Sequence, residues 1–139
     1  MTNEEILLVQ RSWNQVLPLK EKAAELFYRK LFELDPGLRR LFTGDLEQQG
    51  TKLMQMITAA VNSLNRLGVL LPVVRELGRR HGTYGVRDEH YDTVATALLW
   101  TLEQGLGDDF TPAVKAAWIK VYGVLSQAMR MPDDAPRAA

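Results

Sequence analysis

The chain has 139 residues, 17 basic and 17 acidic side chains and no cysteine, which corresponds to one domain with a buried core and excludes disulfides, thiolate nucleophiles and iron–sulfur clusters. Because the charges balance, no net field draws the chain to nucleic acid or to an anionic membrane. The polar first residues are unlike a signal peptide and no apolar run approaches the ~20 residues of a membrane span, so we expect a cytoplasmic protein without a membrane span.

The first part of the chain has the apolar periodicity of helices. Thr2 and Glu5 stand at capping-box spacing before an amphipathic helix that ends near Pro18. A second helix ends at Asp35-Pro36, where a cap and a first-turn proline open a very short third helix. The turn signal Thr43-Gly44 ends that short helix.

A longer helix follows Asp45 and carries one polar residue, Gln49, among apolar residues that include Leu53. After it, the spacing predicts a short helix over 70–81 with Pro72 in its first turn.

That short helix has a histidine at the end of its apolar face. Leu70, Val74, Leu77 and His81 recur at helical spacing, and Gly82 stands just past the helix end. Taken alone, the pattern is typical of a core histidine whose ring bonds a backbone carbonyl. The other interpretation is an axial ligand to a flat apolar cofactor.

Two long helices complete the prediction. Asp88 caps the first, whose apolar stripe includes Tyr91, and Thr111-Pro112 opens the second, which ends at Pro132. Residues 133–139 are predicted to be a disordered tail. No segment shows sustained strand alternation, so we expect an all-α fold of six or seven helices of unequal length, unlike a uniform bundle.

Several motifs occur together in one order along the chain. They are Leu26-Phe27-Tyr28, Leu41-Phe42, Gln49 with Leu53, the segment 77–81, His90-Tyr91, Ala117-Trp118 and the segment 121–124. In these motifs, from about Glu4 to Met129, the chain resembles bacterial single-domain globins related to the haem domain of flavohaemoglobins. The resemblance implies a globin fold around a haem pocket, a globin domain over 1–132, and haem b (iron protoporphyrin IX) as the cofactor.

The resemblance assigns the lower side of the haem to the histidine helix. His81 matches the proximal ligand that holds the iron in globins, and Leu77 packs beneath the ring. Phe42 matches the phenylalanine that stacks on the haem, although an ordinary core aromatic would pack similarly.

The distal side, above the bound ligand, is assigned to Tyr28, Gln49 and Leu53. The first two are candidate donors to a bound diatomic ligand, which predicts slow oxygen release, and Leu53 limits the cavity. Two alternatives stay open. In the first, Gln49 is a boundary residue that reaches water. In the second, Tyr28 is a packed ring with its hydroxyl at the surface.

Three further residues are placed around the haem. Lys52 and Arg80 are candidates for pairing with the propionates at the pocket rim. Tyr91 matches a tyrosine that joins a carboxylate near the proximal histidine, here at Asp133 beyond a helix-breaking proline; otherwise it is a core tyrosine. His90 is predicted to be solvated at the start of its helix.

The predicted function is reversible binding of dioxygen, carbon monoxide and nitric oxide, as in oxygen transport or storage. One alternative is an enzyme, a nitric oxide dioxygenase or nitrite reductase that receives electrons from a separate reductase. Another is a haem-free globin-like sensor or docking module.

Overall fold

Six α-helices make up most of the computed structural model, which describes the backbone of residues 1–83 and 87–130 and the side chains of 1–80 and 87–130. Within these ranges there is no strand, in agreement with the predicted all-α class. The helices are α1 (Asn3–Val16), α2 (Lys20–Leu34), α3 (Leu46–Asn62), α4 (Leu67–Thr83), α5 (Asp88–Leu106) and α6 (Pro112–Arg130), with 3₁₀-helices at Leu17–Leu19, Pro36–Leu41 and Gly107–Asp109.

A pair of tryptophans joins three helices at the centre of the core. The rings of Trp13 and Trp118 meet edge to face with their centroids 5.9 Å apart. Their indole N–H groups donate to the hydroxyls of Thr58 (2.9 Å) and Ser12 (2.8 Å). Because both buried donors are satisfied, α1, α3 and α6 are tied together without an unpaired polar group.

The contacts between helices link all six into one connected set. α2 packs against α3 and α5, and α1 packs against α3, α5 and α6, whereas α4 packs against α6. Among the described residues, α3 and α4 are consecutive helices that make no substantial contact with each other.

Helix α4 is longer than the sequence predicts. It begins at Leu67, so that Pro72 lies inside the helix and not in its first turn. The carbonyl of Arg66 accepts a hydrogen bond from the N–H of Leu70 at 3.0 Å, which starts the helix earlier. Proline removes one helical hydrogen bond, but the residue that loses its donor, Gly68, is exposed and its carbonyl can be hydrated.

Helix α5 begins with a different cap from the predicted one. Asp88 is the first helical residue and Arg87 precedes it as the N-cap. The N–H of Arg87 donates to Nδ1 of His90 at 3.0 Å, so the histidine ring takes the place of the usual capping-box acid. At the start of α6 the prediction is confirmed, since Thr111 Oγ1 accepts from the N–H of Val114 at 3.2 Å.

Pro132 and the predicted tail 133–139 lie outside the described residues, so the domain boundary stays a prediction. None of the described helices is long and apolar enough to cross a membrane.

Candidate functional site

Three aromatic rings form a cluster where α2 meets the 3₁₀-helix Pro36–Leu41. Tyr28 and Phe32, one helical turn apart, stack with their centroids 6.0 Å apart at 18°. The ring of Phe42 meets both edge-on, 5.4 Å from each, at 72° to Tyr28 and 70° to Phe32. We call Tyr28, Phe32 and Phe42 the aromatic triangle. It brings together two of the predicted site residues, Tyr28 and Phe42.

The hydroxyl of Tyr28 has no hydrogen-bond partner among the described residues. The residue is only 7% exposed, and its hydroxyl makes no hydrogen bond to the residues described around it. Burial raises the pKa of Tyr28 to about 12, because a phenolate is poorly solvated there. The side chain is therefore a neutral O–H donor at ordinary pH.

A glycine lets α3 approach α2 beside this tyrosine. A Cβ added at Gly50 would lie 3.1 Å from Cβ of Ala24 and 3.6 Å from Cε2 of Tyr28. Gln49 and Leu53 flank this crossing, and Leu53 is half-buried against the core. The amide of Gln49 donates to the carbonyl of Thr43. Its predicted contact with a bound ligand stays a prediction.

Helix α4 is held against α6 by a backbone contact. A Cβ added at Gly78 would lie only 2.1 Å from the carbonyl oxygen of Met129, so no larger residue fits at this crossing. Leu70 and Val74 are buried and Leu77 is half-buried, as the apolar stripe predicts.

The backbone of His81 belongs to α4, but its side chain lies outside the described residues. Its role as the iron ligand, and the packing of Leu77 beneath the haem, stay predictions.

Tyr91 lies under a cation. The guanidinium carbon of Arg130 is 4.7 Å from the centroid of the half-buried Tyr91 ring, and Tyr122 donates its hydroxyl to the Tyr91 carbonyl at 2.6 Å. Burial raises the pKa of Tyr91, and the charge of Arg130 opposes that rise. Asp133, the predicted carboxylate partner, lies outside the described residues.

The two predicted propionate partners are both exposed. Lys52 lies on the surface of α3. On α4, Arg80 pairs with Glu76 at 3.7 Å, and Arg79 forms an ion pair with the same carboxylate. Arg80 therefore has a competing partner, and the rim role of both cations stays a prediction.

The globin family model matches residues 25–129. This chain belongs to the globin family. The globin is 35% identical over 105 residues to the flavohemoprotein of Bacillus subtilis, which covers 73% of this chain and 26% of that protein. It thus spans about a quarter of the flavohemoprotein. It is also 32% identical over 136 residues to neuroglobin of Danio rerio, covering 88% of this chain and 86% of that protein.

Two solved structures share the fold of this globin. One is an engineered carbene transferase made from a candidate nitric oxide dioxygenase of Rhodothermus marinus (TM-score 0.83, 25% identity, 99% of this chain and 95% of that one). The other is a hexacoordinated haem protein from a tardigrade (TM-score 0.83, 19% identity, 94% and 93%). The predicted globin fold is confirmed, and family membership supports haem-based gas binding.

The described residues fit a flat apolar cofactor. Half-buried apolar side chains that pack against the core occur on both α3 and α4, namely Leu53, Ile57 and Ala60 on α3 and Leu67 and Leu71 on α4. Tyr28 adds one neutral donor to these surroundings. If haem is the cofactor, one histidine of the chain would hold its iron.

Two surface depressions of the globin lie elsewhere. One, of about 500 Å³, runs between α5 and α6 and includes Leu99 and Ile119. The other, of about 190 Å³, lies beside Leu38 and His90. Neither contains a predicted site residue. The candidate site therefore rests on the chemistry of its residues and not on a cavity.

The sequence prediction missed two residues at the site. Phe32 completes the aromatic triangle, and its position four residues after Tyr28 was the available signal. Arg39 donates to the carbonyl of Phe42 at 2.9 Å. Here the signal was a basic residue in the last turn of a helix, where terminal carbonyls need donors.

Proposed function

We propose that this globin binds haem b and reversibly holds dioxygen and other diatomic gases beside Tyr28. The observation that carries the proposal is the buried phenol whose hydroxyl has no partner in the described part of the chain. Since no buried side-chain oxygen or nitrogen of the described residues lacks a partner, this hydroxyl lies at the edge of the buried region, where it can donate to a polar gas ligand. Membership of the globin family supports the same function.

Each residue of the site has a separate task in this proposal. Haem, when bound, supplies the iron at which a diatomic gas is held. His81 attaches the iron to the chain, and Leu77 covers the ring from below. Phe42 packs against the haem, Tyr28 donates a hydrogen bond to the gas, and Leu53 limits the space above it.

Three polar residues complete the proposed site. Lys52 and Arg80 pair with the propionates at the rim, the latter in competition with Glu76. Gln49 is the second distal donor, and it reaches the gas only after releasing the carbonyl of Thr43.

The absorption spectrum of the purified protein tests the proposal. We expect a Soret band that shifts on reduction and again on addition of carbon monoxide. His81→Ala should lose the histidine-ligated spectrum, whereas His90→Ala, which changes the other histidine, should keep it. A wild-type protein that takes up no haem would contradict the proposal and would favour the haem-free alternative.

A second candidate function is nitric oxide dioxygenation. The similarity to a flavohemoprotein and to a candidate nitric oxide dioxygenase favours it. Each turnover joins one dioxygen and one nitric oxide into nitrate and leaves the cofactor short of one electron. We infer that a separate reductase returns that electron.

Rapid mixing distinguishes the two functions. The oxygenated protein is mixed with nitric oxide, with and without a flavin reductase and NADH. Sustained nitrate formation with the reductase supports the enzyme. A single turnover that the reductase cannot renew supports the gas carrier.

A further inference from the structure

The segment that carries Phe42 is held by two side chains. The carbonyl of Phe42 accepts a hydrogen bond from Nη1 of Arg39 at 2.9 Å. The next carbonyl, of Thr43, accepts one from the amide of Gln49. Two successive peptide groups are thus bonded from opposite sides, one from the 3₁₀-helix and one from α3.

The same arginine also touches the aromatic triangle. Its guanidinium carbon lies 5.5 Å from the centroid of Phe32, and Phe32 contacts both Tyr28 and Phe42. From solvent inward, Arg39 is exposed, Phe32 is half-buried and Tyr28 is buried. A surface cation is therefore linked to the Tyr28 ring through one intervening ring.

The residue after Thr43 restricts the segment further. Gly44 has φ of +90°, a conformation that favours glycine. The chain then enters α3 through Asp45, whose carboxylate accepts from the N–H of Glu47 at 2.9 Å. Gly44 and Asp45 define the turn that follows. The hydrogen bonds to the carbonyls of Phe42 and Thr43 restrain the backbone that carries the Phe42 ring.

We infer that Arg39 is a positioning residue for the proposed gas site, an inference that rests on the haem function proposed above. It holds the Phe42 ring through the backbone and the Tyr28 ring through Phe32. Arginine suits both tasks, because its planar group donates in plane while its face covers an aromatic ring. Lysine cannot do both at once.

The test compares Arg39→Gln with Arg40→Gln in the haem-loaded protein. Arg40 is equally exposed and makes no hydrogen bond or ring contact among the described residues. The readouts are the infrared stretching band of bound carbon monoxide and the rate of haem transfer to an acceptor protein. We expect Arg39→Gln to broaden the band and to speed haem loss roughly five-fold, from the loss of one hydrogen bond and one cation–π contact. Arg39→Lys should restore neither property fully.

A double-mutant cycle with Phe32→Leu identifies the path through the ring. If Arg39 acts partly through Phe32, the effects of Arg39→Gln and Phe32→Leu on the carbon monoxide band will not add. Identical behaviour of Arg39→Gln and Arg40→Gln in a carbon monoxide-binding protein would overturn this inference alone. A wild-type protein without haem would overturn the proposed function as well.

Discussion

The two sides of the proposed site are built in different ways. On the distal side, the rings of Tyr28, Phe32 and Phe42 meet at centroid distances of 5.4–6.0 Å. On the histidine side, α4 lies against α6 at Gly78, where the opposing atom is a backbone oxygen that cannot move aside. Side chains determine the first contact and main chains the second.

The two contacts therefore differ in the substitutions that they tolerate. A ring can rotate or be replaced by another of similar shape at small cost, whereas a backbone contact admits no added atom. Each side also has one cation over an aromatic ring, Arg39 over Phe32 and Arg130 over Tyr91. We expect substitutions on the distal side to change ligand binding, and substitutions at the α4–α6 contact to change the stability of the fold.

The backbone contact should show the largest effect. Gly78→Ala places a methyl group against Met129, and we expect the free energy of unfolding to fall by about 3 kcal/mol. Gly123→Ala is the matched control on α6, because nothing lies within 4 Å of its added Cβ; there alanine should stabilise the helix by up to about 1 kcal/mol. Urea denaturation measures both. Equal free energies of unfolding for the two variants would contradict a tight backbone contact at Gly78.

The burial of Tyr28 should appear at alkaline pH. Its pKa rises from 10.0 to about 12 in the folded protein, so between these values the unfolded chain releases a proton that the folded one keeps. The stability present below pH 10 is then lost as the pH approaches 12, by roughly 2–3 kcal/mol for this group. Tyr28→Phe should show a shallower loss between pH 8 and 11.5. An unchanged slope would mean that the phenol is already solvated.

The same substitution should change ligand chemistry more than stability near neutral pH. A hydrogen bond to a polar bound gas contributes about 1.5–3 kcal/mol, so Tyr28→Phe should release oxygen at least ~10 times faster. Stopped-flow displacement of oxygen by carbon monoxide measures this rate. An unaltered rate would show that the hydroxyl does not face the gas.

The cation over Tyr91 should show the smallest effect. Arg130→Gln removes a cation–π contact and should cost about 1 kcal/mol. The ion pair of Arg130 with Asp92 adds little, since the Asp92 side chain is 87% exposed. Lys115→Gln, an exposed cation on the same helix, is the control in thermal unfolding. If both variants melt alike, the Tyr91 side chain is held by packing alone.

Local rules predicted the helix starts that depend on neighbours in the chain. The capping box of Thr2 and the start of α6 at Thr111 involve atoms within three or four residues. The same rules failed at α5, where Asp88 was the predicted cap but Arg87 is the N-cap and its N–H donates to the His90 ring. The prediction for Pro72 was also wrong: the residue lies inside α4 and not in its first turn. The hydrogen bond that proline removes can be replaced by water at the carbonyl of the exposed Gly68.

By itself, the sequence determined the all-α class and the globin resemblance and supplied the candidate site residues, because apolar periodicity and the order of motifs are properties of the chain. Only the tertiary structure decided which of those residues meet. Gly50 lets α3 approach Tyr28 of α2, and the hydrogen bond of Gln49 to Thr43 gives Gln49 an unpredicted partner. Such contacts depend on the angle and distance at which two helices cross, and those are set jointly by side chains far apart in sequence.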